Sequence, residues 1–286
     1  MRVLELFSGV GGWRCALGDR GQVLAAYDVS EAANATYLLN HGELPRPQEL
    51  AAVPLAALAA HGADTWLLSP PCQPFCRMGN HQGLEDRRSR AFRHLMEVFR
   101  EAPPDHLVLE NVTGFLGSDA HALLSERIRS HGMHQLDLQA CPSQFPWPNQ
   151  RPRVYVVASR QPLQALPLPV LAPRIVAEFL DAEEDERLYL PPEVLARHYD
   201  GLDLVEAGDC RSACFIGGYG RRYVGSGSFL RTARGVRRFS PSEVARLLGL
   251  PEGFRFPEIL SLEVRYRLLG NGLSLPVAAW ALQHLA

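Results

Sequence analysis

Residues 3–28, VLELFSGVGGWRCALGDRGQVLAAYD, decide the fold. Val3 to Leu6 reads as a buried strand, and Phe7-Ser8-Gly9-Val10-Gly11-Gly12 as a tight turn opening a helix. Val23 to Tyr27 reads as a second strand with Asp28 at its end. Strand, glycine turn, helix and strand form one parallel βαβ unit. Glycines let the backbone approach a ligand closely, and the N–H groups that open a helix suit an anionic group. A carboxylate at the end of the second strand can hold ribose hydroxyls, so the stretch points to a nucleoside-bearing cofactor. The spacing departs from G-x-G-x-x-G, which argues against a nicotinamide.

Outward from this unit, the same alternation continues to about residue 160. Trp66 to Leu68 and Leu107 to Leu109 read as further buried strands. Helical patterns lie at 30–40, 54–60, 89–101 and 121–130, between the strands. Leu136 and Leu138, then Val154 and Val156, alternate as a closing pair, antiparallel, at the sheet edge. Residues 161–173 carry four Pro and read as a linker. Residues 178–209 then hold eleven acidic residues against Arg187 and Arg197, and 211–246 hold eight Arg against Glu243. If the acidic run lies beside the active cleft, it repels a long duplex. Ser240-Pro241-Ser242-Glu243 is a capping box with Pro at the first helical position.

Composition removes several classes. All 29 cations among the 286 residues are Arg. Without Lys there is neither a Walker phosphate loop nor a Schiff-base nucleophile. The net charge of -2 and 47% hydrophobic content are those of a globular chain. No window approaches the roughly 18 apolar residues of a membrane span. The six Cys do not suggest a disulfide scaffold, and a reducing cytoplasm is expected.

Three further motifs carry chemistry. Ser69-Pro70-Pro71-Cys72-Gln73-Pro74-Phe75 follows a strand, where its prolines fix a thiol beyond the strand's carboxyl end. Cys72 is therefore a candidate nucleophile. Glu110, in Glu110-Asn111-Val112, puts a carboxylate at the end of the adjacent strand, where charge is costly unless used or paired. Asn149-Gln150-Arg151-Pro152-Arg153 opens another strand with two guanidiniums. Cys72 with Cys76 and Cys210 with Cys214 have a metal-like spacing, but the first pair overlaps the nucleophile loop and no metal is assigned.

ELFSGVGG, SPPCQPF, ENV, the R-P-R opening a strand, and RYRLLGNGLSLP together resemble the ordered motif set of the cytosine-5 methyltransferases. The similarity covers about residues 1–160 and 236–286. Asn149 before the two Arg, Cys214-Phe215-Ile216-Gly217-Gly218-Tyr219-Gly220, and the ending from Phe239 are similar to the type-two branch, which methylates cytosine-38 in the tRNA anticodon loop. Ile216 stands where that branch has Thr, and Ala51 where it often has an acidic residue.

The resemblance implies an α/β, Rossmann-like S-adenosylmethionine-dependent methyltransferase sheet. The catalytic domain comprises 1–160 and 236–286, and a small target-recognition region is inserted at 161–235. It implies Cys72 as nucleophile, with Glu110, Arg151 and Arg153 binding and orienting the pyrimidine. Phe7, Ser8, Gly9, Val10, Gly11, Gly12, Asp28, Val29 and Leu50 are expected around the cofactor, with Ser69, Asn271 and Gly272 at its methionine end and S-adenosylhomocysteine as product. Gln73, Arg77, Arg87, Arg88, Asn149, Cys214, Tyr219, Arg221 and Arg222 are expected to contact the nucleic acid, Tyr219 by stacking. A tRNA anticodon stem-loop is the expected partner, with no membrane and no obligate protein partner. The rivals are a DNA cytosine-5 methyltransferase of a modification system, with DNA as partner, and a non-catalytic nucleic-acid-binding protein. Methyl transfer to tRNA or to DNA separates the first, and any transfer removes the second.

Overall fold

The computed structural model describes residues 1–71, 84, 86 and 89–285. These form two compact units. The first comprises 1–140, 152–167 and 278–286, and the second 141–151 and 168–277.

The first unit is built on a six-stranded sheet. Its strands are β1 (Arg2–Leu6), β2 (Gln22–Tyr27), β3 (Thr65–Leu68), β4 (His106–Val112), β5 (His134–Ala140) and β6 (Arg153–Ser159), in the order β2-β1-β3-β4-β6-β5. Strands β1 to β4 are parallel, and β6 runs antiparallel to both β4 and β5. The expected closing pair thus forms, with Leu136 opposite Val157 and Leu138 opposite Tyr155. Residues 107–111 of β4 and 154–159 of β6 are buried throughout. Strands covered on both faces need continuous apolar runs, which is why this sheet was legible.

Helices α1 (Gly12–Leu17), α2 (Glu31–His41), α3 (Leu55–Ala59), α4 (Arg90–Glu101) and α5 (Asp119–Ser130) lie along this chain. The Ser30 and Ser118 hydroxyls accept from Ala33 N and His121 N, capping α2 and α5. Helix α4 buries Phe92, Leu95, Met96 and Phe99 in the main apolar cluster, each such side chain contributing about 1.5–3 kcal/mol.

The second unit carries a three-stranded sheet, β7 (Asp203–Val205), β8 (Ser228–Thr232) and β9 (Gly235–Arg238), in that order. Around it are α6 (Pro192–His198), α7 (Pro241–Leu247) and α8 (Leu262–Gly270). A last helix, α9 (Leu275–Leu282), passes into the first unit at Ala278. The capping box forms: Glu243 N donates to Ser240 Oγ at 3.1 Å, and Ser240 N to Glu243 Oε2 at 2.7 Å.

The charge runs are not two separate faces. Arg211 pairs with Asp203 at 3.0 Å, Arg231 with Glu206 at 3.5 Å, Arg234 with Glu186 at 2.6 Å and Arg246 with Asp181 at 2.5 Å. The expectation of an acidic face that repels a duplex is corrected, because much of its charge is matched by the basic run that follows it. No helix among the described residues is long and apolar enough to cross a membrane.

Candidate active site

The glycine turn after β1 is shaped by its backbone. Phe7 has φ 58°, the only non-glycine residue with positive φ among those described, and Gly9 and Gly11 follow at 55° and 87°. Such a conformation on a non-glycine residue costs of order 1–3 kcal/mol and clusters at functional sites. Gly9 borders open space, whereas a Cβ on Gly11 would lie 2.2 Å from His41 Nε2, so the second glycine is demanded by packing. Gly12 opens α1, and Val10 is buried.

Asp28 directly follows β2 and braces this turn. Its carboxylate accepts from Gly9 N and from Ser30 N, both at 2.8 Å. Burial pushes its carboxyl up, and the backbone N–H groups oppose that shift. Next to it, Val29 is 64% exposed, an apolar surface beyond the strand end, while Leu50 is buried.

Ser8 Oγ is buried with no hydrogen-bond partner among the described residues. An orphaned hydroxyl, open space at Gly9 and an exposed Val29 fit a nucleoside with an amino-acid tail. Asp28→Ala is expected to weaken S-adenosylmethionine binding by about 1–3 kcal/mol, the cost of stranding a polar partner. Titration calorimetry with unchanged affinity would contradict this placement.

Sequence reading missed Glu5, fully buried in β1 beneath the turn. It accepts from Tyr37 Oη at 2.9 Å and from Arg14 N at 3.3 Å, tying β1 to α2 and α1. Burial pushes its carboxyl up to about 7. The available signal was a charge inside an otherwise apolar strand.

Cys72, Gln73, Arg77, Arg87 and Arg88 lie outside the described residues. The approach to Cys72 is anchored twice. Trp13 Nε1 donates to Ser69 Oγ at 3.0 Å, and Asn111 Nδ2 donates to the Pro70 carbonyl at 3.1 Å. Ser69 is thus already an acceptor for the first unit's core, and Asn111 has a positioning role that sequence reading did not assign.

Glu110 and Arg153 come together. Arg153 Nε lies 3.2 Å from Glu110 Oε1, and both side chains are largely buried. The β4–β6 register places Glu110 opposite Tyr155, so Arg153 reaches it diagonally. A carboxyl group held against a guanidinium keeps its orientation, which suits hydrogen bonding to a planar base.

In the second unit, several expected substrate contacts are internal. Asn149 is buried, and its amide donates to Ser212 Oγ and to the Ala213 carbonyl, both at 3.1 Å. Arg151, 2% exposed, donates to the carbonyls of Phe215, Gly270 and Gly272 at 3.2, 3.0 and 2.6 Å, and to Cys214 Sγ at 3.3 Å. It clasps the Cys214 segment to the turn bearing Asn271 and Gly272, a positioning role. That turn needs its first glycine, since a Cβ on Gly270 would meet Gly217 N at 2.1 Å.

The stacking role expected of Tyr219 is corrected. Its ring is fully buried among Phe215, Phe229 and Tyr266, and its hydroxyl donates to Ser228 O at 2.6 Å and accepts from Phe239 N at 2.9 Å. Arg221 and Arg222 are exposed, with Arg221 3.7 Å from Glu263.

A glycine-turn α/β sheet with a carboxylate and a guanidinium on adjacent strands is the framework of a nucleobase methyltransferase. The family model of the C-5 cytosine-specific DNA methylases matches residues 1–188, and the chain belongs to that family. It is 30% identical to a human tRNA (cytosine(38)-C(5))-methyltransferase, over 98% of this chain and 97% of the human one. The Schizosaccharomyces pombe protein of the same name is also 30% identical, over all of this chain and 96% of its own. The crystal structure of S. pombe Dnmt2 methyltransferase superposes with a TM-score of 0.90 at 29% identity, covering 99% of this chain and 97% of that one.

Proposed function

We propose that this protein transfers a methyl group from S-adenosylmethionine to carbon 5 of cytosine-38 in the tRNA anticodon loop, in the cytoplasm. The observation that carries the reading is similarity along the whole chain to the cytosine-38 tRNA methyltransferases. Target recognition is assigned to 161–235 and catalysis to 1–160 and 236–286. An anticodon loop presents an unpaired base that can be taken out of the stack at low cost.

S-adenosylmethionine, when bound, supplies an electrophilic methyl group. Ser8, Gly9, Asp28 and Val29 would hold it, Asp28 through the ribose. The chain's own residues make the base reactive. The Cys72 thiolate adds to carbon 6, forming a C–S bond and making carbon 5 enamine-like. Glu110 accepts from the exocyclic amine and, carrying a proton, donates it to nitrogen 3, where negative charge develops, and Arg153 fixes Glu110 and faces the pyrimidine oxygen. After methylation, a base takes the proton from carbon 5, the C–S bond breaks, and the thiolate is restored. Methyl incorporation at position 38 of tRNA tests this reading, and its absence with active enzyme would end it.

A further inference from the structure

Within residues 211–246, two cations are left without a carboxylate partner among the described residues. Of the eight Arg there, Arg211, Arg231, Arg234 and Arg246 pair with the preceding acidic run, Arg237 pairs with Glu243, and Arg221 lies near Glu263. Arg222 and Arg238 have no carboxylate partner among the described residues. Arg238 is nevertheless fixed in place. Its Nε donates to the Tyr219 carbonyl at 3.2 Å, and its guanidinium lies 4.8 Å from the Tyr223 ring centroid and 5.7 Å from that of Phe229. Its two terminal nitrogens have no acceptor among the described residues. Arg222 packs its stem against Gly218, within the same loop.

The aromatic contact continues outward. His198, the last residue of α6, stacks on Tyr223 at 5.0 Å with 19° between the planes. Neither its ring nitrogens nor the Tyr223 hydroxyl has a partner among the described residues. Val224 and Tyr199 beside them are 57% and 45% exposed. A guanidinium held on a ring with free terminal donors matches a phosphate as a fork. A half-buried aromatic stack with unclaimed polar edges matches a nucleobase, whose face is available only when unstacked.

We propose that His198, Tyr223, Arg222 and Arg238 form a docking platform for single-stranded RNA, with an unstacked loop base on the aromatic stack and adjacent phosphates on the two guanidiniums. This rests on the tRNA reading above and adds the surface that engages the loop. Tyr219, buried behind it, supplies the carbonyl that orients Arg238.

The test uses full-length enzyme and unmodified tRNA transcript, with binding measured by fluorescence anisotropy across a salt series. His198→Ala is expected to weaken tRNA binding about tenfold, within the range for losing one base stack. His198→Phe, which keeps the aromatic face, should restore most of that affinity. Arg222→Ala, at an exposed site, should lower the magnitude of the salt slope by about one, as loss of one phosphate contact requires. S-adenosylmethionine affinity and thermal midpoint should stay at wild-type values in all three. If wild-type enzyme methylates tRNA while His198→Ala and Arg222→Ala bind it with unchanged affinity and slope, the platform is wrong and the tRNA reading stands. If wild-type enzyme neither binds nor methylates tRNA, both fall together.

Discussion

Cys72→Ala is expected to reduce methyl transfer by on the order of 10⁴-fold or more, because without the thiolate carbon 5 of cytosine has no route to nucleophilicity. Cofactor affinity should be unchanged, since the turn at 7–12 and Asp28 are untouched. The substitution touches neither anchor before the loop, Trp13 on Ser69 or Asn111 on Pro70. Cys76→Ala, outside the motif, should keep most activity and serves as the control. Single-turnover transfer from labelled cofactor, with calorimetry for binding, gives both readings. Near-normal transfer by Cys72→Ala would remove the covalent mechanism.

The largest stability effect is expected at Glu243. This side chain is fully buried against Arg237, itself 3% exposed, and accepts from both terminal nitrogens at 2.8 and 2.7 Å. It also accepts from Ser240 N at 2.7 Å and from Asp181 N at 3.0 Å, joining the α7 cap to the chain at 181. Removing one member of a buried pair leaves the other charged and desolvated, which costs about 3–5 kcal/mol. Glu243→Ala should lower the unfolding free energy from urea denaturation by that amount. Glu243→Gln, which can still accept from Ser240 N, should lose less. A loss below about 1 kcal/mol for the Ala variant would show that the pair is not holding this unit.

Glu243 also shows how far the sequence could be read. Its capping box was legible because Ser, Pro and Glu occupy positions with a local backbone reason. Its partner Arg237 was not, because a side-chain pair across a unit depends on the folded path. The same holds for the charge runs. Their signs were plain, but only the fold brings Arg211 to Asp203 and Arg246 to Asp181. The central sheet was legible because strands covered on both faces are continuous apolar runs.

Among the site residues, Glu110 and Arg153 were each legible from their motifs, but only the β4–β6 register, with Glu110 inside β4 and Arg153 opening β6, brings them together. Arg151 and Asn149 belong to the same motif, yet they are spent on backbone carbonyls and a serine of their own unit. Catalytic and architectural polar residues have the same letters, and only burial and partners separate them. Tyr219 misled for a related reason: a Cβ on Gly227, eight residues further on, would lie 2.9 Å from its ring, and only the fold shows that this glycine makes room for a buried ring.

The central claim is that the substrate is tRNA, and the direct measurement is methyl transfer from labelled S-adenosylmethionine. Purified enzyme is offered total tRNA and duplex DNA in parallel, with the modified base located by bisulfite sequencing. The account predicts incorporation into tRNA at cytosine-38, far weaker incorporation into duplex DNA, and tRNA binding that falls steeply with salt. Methylation of duplex DNA at a defined short sequence, with tRNA left unmodified, would contradict it.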